Sequence, residues 1–176
     1  MNTKFVTEVA IFVALGLILD YISGLLGVAV WANGGSVSLG MLPVFIMAFR
    51  HGIKGGLLTG FLVGLIQILF ASSGYLLHPI QVALDYYVAY MVVGFAGIFA
   101  AKVKENGPRY ILLGVLVGGG LRLVSHLLAG YVWWNTWAPE GMNITLYVFL
   151  YNASYMIPSM IVCYFILVPT YKRLKF

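Results

Sequence analysis

The sequence predicts an all-α integral membrane bundle of six helices, forming a single domain over residues 1–176 with both termini in the cytoplasm, and three observations carry that prediction. The chain is 62% hydrophobic and only 9% charged, with a mean hydropathy of +0.98, whereas soluble domains hold apolar content near half and charge near a quarter. Apolar stretches joined by short connectors use almost the whole length, which leaves no room for a soluble domain or a long linker. The basic residues cluster at the ends of those stretches, as a topology signal does.

The first span runs from Val6 to Leu26. Lys4 ahead of an apolar run resembles a signal peptide, but Glu8 interrupts the run and no Ala-x-Ala cleavage site follows before Asp20, so the segment reads as a span. The second, Leu39 to Phe49, is too short to cross a hydrocarbon core of ~30 Å at ~1.5 Å per residue. The stretch before it, Gly27 to Ser38, carries Trp31, Asn33, Gly34, Gly35 and Ser36 and is too polar and glycine-rich for helix. Non-helical backbone at membrane depth survives only where protein buries it or where it lines a cavity, so this loop is expected to wall or cover a pocket.

Gly56 to Ala71 forms the third span, and Gly52, Gly56, Gly60 and Gly64 recur along it at every fourth position, a ridge without side chains that lets two helices approach closely. Pro79 to Ala101, Tyr110 to Trp134 and Ile144 to Pro169 complete the six. Gly114 with Gly118, and Ala10 with Ala14, repeat the small-xxx-small spacing, for which packing inside the bundle is the default explanation. The single Cys163 lies inside the last span, where it can form no intramolecular disulfide and reads as packing.

Lys4, Arg50, Lys54, Lys102, Lys104, Arg109, Lys172, Arg173 and Lys175 all fall on one side of this six-span layout. The opposite loops, Gly27 to Ser38, Ser72 to His78 and Asn135 to Asn143, contain no Lys or Arg, so they face out. The net charge of +5 does not imply nucleic acid, because the basic residues form no stripe with interleaved stacking aromatics. A GxxxxGK[ST] phosphate loop, HExxH and GxSxG are absent, as is any nearby pair of intramembrane acids. That removes P-loop ATP hydrolysis and disfavours intramembrane metalloprotease, esterase and glycosidase chemistry.

With flanking charges set aside, Glu8, Asp20, Asp85, Arg122 and His126 remain within apolar segments, with His78 at a boundary. Ionisable groups at membrane depth are costly and mark functional sites by default. Glu8 lies in the first turns of its span, where an acid suits a helix N-terminus. Arg122, His126, Gly130 and Trp134 follow at four-residue steps along one helical face, while Gln81 and Asp85 share a face of the fourth span beside Tyr86, Tyr87 and Tyr90. Tyr147, Tyr151, Asn152 and Tyr155 occupy the outer half of the sixth. A satisfied structural Arg and His would explain any one of these, and Tyr75, Tyr131, Trp133 or Trp137 alone would be interfacial belt. Together they can converge on a pocket that would hold one carboxylate, two basic groups, an amide and several aromatic faces, which suits a flat, cationic heterocycle.

The motifs NGGSVSLGMLP at 33–43, FRHGIKGGLLTG at 49–60, HPIQVALDY at 78–86, RxxxHxxxGxxxW at 122–134, WAPEGMN at 137–143 and YNASY at 151–155 give a specific resemblance covering essentially the whole chain. It resembles the ThiT family, the thiamine-specific substrate-binding subunits (S components) of energy-coupling factor (ECF) transporters. The resemblance implies a multi-pass protein of a prokaryotic cell membrane that captures thiamine from outside and works with a membrane coupling subunit and two ATPase subunits. It implies no enzymatic activity, no cofactor and no metal, with ATP used only by the partners. Carried over by position, the thiamine site would comprise Trp31, Tyr75, Asp85, Tyr86, Arg122, His126, Gly130, Trp134, Tyr147 and Asn152. Asp85 stands where the family commonly has glutamate and Arg122 where it has lysine, so charge is kept while the hydrogen bonds change. Ala10 and Ala14 would face the coupling subunit. Three other readings stand beside this one: a proton-coupled carrier for thiamine or another heterocyclic vitamin, an S component for another vitamin, and a small membrane enzyme using Asp85 with His126 as general base.

Overall fold

The computed structural model describes residues 2–26, 29–31 and 34–173. Five helices among them are long and apolar enough to cross a membrane: α1 (Thr3–Leu25), α2 (Leu42–Gln67, extended by a tight turn to Phe70), α3 (Pro79–Asn106), α4 (Arg109–Trp133) and α5 (Ile144–Thr170). Between α1 and α2, the strands β1 (Ala29–Trp31) and β2 (Gly34–Ser36) pair antiparallel, with Ala29 opposite Ser36 and Trp31 opposite Gly34. The described part of the stretch expected to be non-helical is therefore a pair of short strands. It lies against α5, because a side chain at Gly35 would meet the ring of Tyr155 at 2.7 Å.

Helix continuity gives five long helices where the sequence predicted six, since the segments Leu39 to Phe49 and Gly56 to Ala71, apart from residues 39–41 and 71, both fall within α2 and its extension. Gly52 interrupts α2 with φ 70 and ψ −166, a backbone region that glycine alone occupies without strain. The neighbours of α2 show what happens there. Arg50 and His51 bond Glu8 of α1, whereas Gly40 and Gln67, on either side of them in sequence, both stand beside Asp20. Glu8 and Asp20 are about 18 Å apart along α1 at ~1.5 Å per residue. The chain thus runs along α1 to Gly52 and folds back.

The glycine ridge divides accordingly. Gly52 makes the reversal and a Cβ there would meet nothing, while Gly56, Gly60 and Gly64 face α3. A Cβ at Gly56 would lie 2.6 Å from the Cα of Gly94, one at Gly64 would lie 2.5 Å from the carbonyl oxygen of Tyr86, and one at Gly60 would strike the Tyr90 carbonyl. Neighbouring backbone cannot yield as a flexible side chain does. Gly60→Leu is therefore expected to destabilise the protein by at least about 2 kcal/mol, read as a lowered unfolding midpoint in detergent; an unchanged midpoint would show that α2 and α3 are not packed this closely.

The first limb of α2 is the centre of the bundle, with every residue from Leu42 to Phe49 buried. Gly114 and Gly118 of α4 receive the rings of Phe49 and Phe45, so their small-xxx-small spacing serves internal packing, and Cys163 is fully buried in the same core. Glu8 needs correcting. It does not merely suit a helix terminus but accepts from Arg50 Nη2 at 3.0 Å and bonds His51 Nε2 at 2.5 Å, clasping α1 to the turn of α2. The same end of the bundle holds Gly97 against Ile53 and Gly107 near Tyr171, which gathers the basic segments around residues 50, 104 and 172.

Candidate functional site

The opposite end of the bundle surrounds a cavity of about 900 Å³, at the upper end of the ~300–1,000 Å³ usual for small-molecule sites. Asp85 reaches it from a single wide turn, Ala83–Tyr87, in which α3 adopts π-helical hydrogen bonding. Such turns re-aim side chains and expose backbone groups. Here the Ser125 hydroxyl of α4 donates to the Leu84 carbonyl at 2.6 Å, fastening the irregular turn to its neighbour.

Three donors converge on Asp85. Its Oδ2 accepts from Gln81 Nε2 at 2.6 Å and from Trp134 Nε1 at 3.0 Å, and its Oδ1 faces His126 Nδ1 at 3.2 Å. Arg122 Nε donates to His126 Nε2 at 3.2 Å. A guanidinium only donates, so Nε2 must accept and the ring proton sits on Nδ1, where it is given to Asp85. His126 is therefore neutral, and its tautomer is set by the arginine on one side and the carboxylate on the other.

The guanidinium carbon of Arg122 lies 3.7 Å from the centroid of the Tyr90 ring, a cation–π contact. Aromatic rings wall the rest. Trp134 stands 6.0 Å from Tyr75 and 5.8 Å from Trp137, while Tyr147, Tyr151 and Tyr155 follow one another at 5.9 Å spacings along α5. The amide of Asn152 donates to the Val148 carbonyl at 2.9 Å and accepts from the Tyr155 hydroxyl at 2.6 Å. One N–H and one oxygen lone pair remain to it. Gly130 brings α4 and α5 together at this level, since a Cβ there would lie 2.7 Å from Val148 and 3.2 Å from Asn152 Nδ2.

The structure thus brings together nearly all the residues singled out in the sequence. Asp85, Arg122, His126, Gly130 and Trp134 line the cavity, as do Tyr75, Tyr86, Tyr147 and Asn152. Trp31 contributes backbone to β1, but its side chain lies outside the described residues. Tyr87 turns away to meet Phe61, and His78 caps the start of α3 and stacks on Trp133. Trp137 lines the cavity, although the sequence alone gave no reason to separate it from an interfacial belt.

A second carboxylate was missed. Asp20 was visible as an intramembrane acid but had no assigned partner, and the structure places it in the cavity wall with Ser38, Gln67 and Tyr90, residues from three other segments. Among the described residues, no group of three or more His, Cys, Asp or Glu is placed to hold a metal ion. Ala10 and Ala14 lie elsewhere, on the exposed face of α1, where they line an apolar groove with Val6, Leu58 and Leu62.

Comparison with known proteins agrees with this architecture. Residues 6–175 match the family described as "Thiamine transporter protein (Thia_YuaJ)". The thiamine transporter ThiT of Bacillus subtilis (strain 168) is 38% identical over 168 residues, covering 91% of this chain and 86% of the relative. The thiamine transporter ThiT of Lacticaseibacillus paracasei is 29% identical over 161 residues, 85% of this chain and 77% of that one. The solved structure of ThiT from Listeria monocytogenes superposes with a TM-score of 0.85 at 26% identity, over 98% of both chains.

Proposed function

Because this chain belongs to the thiamine transporter family, a family of multi-pass membrane transporters rather than enzymes, we propose that its cavity captures thiamine and that it is the substrate-binding S component of an ATP-driven ECF importer. The observation that carries the first part is the hydrogen-bonded carboxylate of Asp85 beside the indole of Trp134. Thiamine joins a thiazolium cation to an aminopyrimidine. A carboxylate among aromatic faces attracts the cation by charge and by cation–π contact, and Trp134 and His126 offer planar surfaces to the rings. The free N–H and lone pair of Asn152 match the acceptor nitrogen and amino group of an aminopyrimidine edge, with Tyr147 beside them.

In this reading the cavity opens outward, and the basic end with both termini faces the cytoplasm. The two limbs of α2 then count as separate partial and full spans, six in all. In this reading a coupling subunit and two ATPases supply the work, in keeping with the lack of a phosphate-binding loop in the chain, and the groove at Ala10 and Ala14 receives the coupling subunit. Small residues there permit close helix approach.

Thiamine titrated into the purified protein is expected to quench intrinsic tryptophan fluorescence saturably, because Trp134 and Trp137 both line the cavity. The protein alone in sealed vesicles is expected to bind thiamine without accumulating it. A well-folded sample that fails to bind would overturn the thiamine assignment. Accumulation by the isolated chain that collapses with an uncoupler would favour a proton-coupled carrier instead.

A further inference from the structure

Asp20 is held by a directed network. Gly40 N donates to Ser38 Oγ at 2.9 Å, so the Ser38 hydroxyl proton is free to point at Asp20 Oδ1, to which it is bonded. Gln67 Nε2 donates to the Tyr90 hydroxyl at 3.0 Å and to Asp20 Oδ2 at 2.7 Å, and the Tyr90 hydroxyl in turn lies 3.1 Å from Asp20 Oδ1. Every neighbour therefore donates to Asp20, an arrangement suited to an ionised carboxylate. Gly40 makes room for it, since a Cβ there would lie 2.7 Å from the Tyr90 oxygen and 3.0 Å from Asp20 Oδ1.

Tyr90 ties this network to the cationic side of the cavity, its ring under the Arg122 guanidinium and its hydroxyl on Asp20. With His126 neutral by its hydrogen bonds, the charges in the cavity wall among the described residues are Asp20, Asp85 and Arg122. Two negatives face one positive. Asp85 is placed for a ligand cation, and without Asp20 the remaining pair would be balanced, leaving Arg122 open to an anionic group.

We infer that Asp20 is a charge-selectivity residue of the cavity, which offsets Arg122 through Tyr90 and so favours a cationic heterocycle over the same heterocycle carrying a phosphate. This rests on the thiamine reading. The chemistry is long-range electrostatics: at about 10 Å and an effective dielectric of about 20 to 40, one unit charge changes affinity for another by roughly four- to twentyfold. A phosphate monoester carries about −1.5 to −2, so its penalty exceeds that of a single charge.

The test measures thiamine and thiamine monophosphate affinities by titration calorimetry for the wild type, Asp20→Asn, Tyr90→Phe, and the double variant Asp20→Asn/Gln67→Glu. Asparagine keeps the size, and Gln67 can turn its amide to accept from it. In Asp20→Asn the preference for thiamine over its monophosphate is expected to fall at least tenfold. Tyr90→Phe removes a hydrogen bond but no charge and is expected to weaken both ligands by a similar factor. The double variant returns the negative charge one hydrogen bond away and is expected to restore the preference, which a purely structural role would not do. Should Asp20→Asn not fold, the folded double variant keeping the preference supports the inference, and its losing the preference overturns it. Equal weakening of both ligands in a folded Asp20→Asn overturns it also. Failure of the wild type to bind thiamine at all would sink the underlying reading instead, and the two failures are distinct.

Discussion

Asp85→Asn is expected to weaken thiamine binding by about a hundredfold or more while leaving the protein folded. The carboxylate accepts from Gln81, from Trp134 and from the Nδ1 proton of His126. An asparagine oxygen can keep some of these donors, but its NH₂ must face at least one of them. The charge opposite the ligand cation disappears as well. Charge-assisted hydrogen bonds are each worth about 1.5–3 kcal/mol, and a hundredfold loss corresponds to about 2.8 kcal/mol at 1.4 per decade. Titration calorimetry on purified wild type and variant reads the difference directly. Affinity within threefold of wild type would show that the cation is held elsewhere in the cavity, with Asp20 the next carboxylate to examine.

Ala14→Trp is expected to abolish thiamine uptake by cells while leaving thiamine binding by the purified protein intact. Ala14 and Ala10 lie on the exposed face of α1, in an apolar groove bounded by Leu58 and Leu62 of α2, and neither lines the aromatic cavity. An indole fits that exposed surface without disturbing the core, but it would hold a partner helix away from the groove. The two readouts separate the possible causes. Binding lost together with uptake would mean that α1 packs there within the bundle, and uptake retained would rule out this groove as the proposed docking face for a coupling subunit.

Much of this protein was legible before folding was considered. Asp85, Arg122, His126 and Trp134 stood out because an ionisable or hydrogen-bonding group in an apolar helix has to have a partner, and four-residue spacing shows which of them share a face. A close approach of another helix was visible in the glycines spaced at every fourth position, and the structure identifies that helix as α3, against Gly56, Gly60 and Gly64. Glu8 misled because its local position, near a helix start, supplied an adequate explanation that hid its true partners Arg50 and His51, 42 and 43 residues away.

The sequence by itself determined the lipid environment, the helical class and which polar residues share a helix face, Gln81 with Asp85 and Arg122 with His126, since these depend on composition and on contacts within one helix turn. Tertiary structure alone decided the rest. Gly52 looks like one more member of a packing ridge until its positive φ shows that the chain reverses there. Asp20 acquires its role only when Ser38, Gln67 and Tyr90 meet it from three different segments. The neutral state of His126 follows from which of its nitrogens faces Arg122 and which faces Asp85. Helical periodicity reaches about one turn along the chain, and these decisions are made between helices.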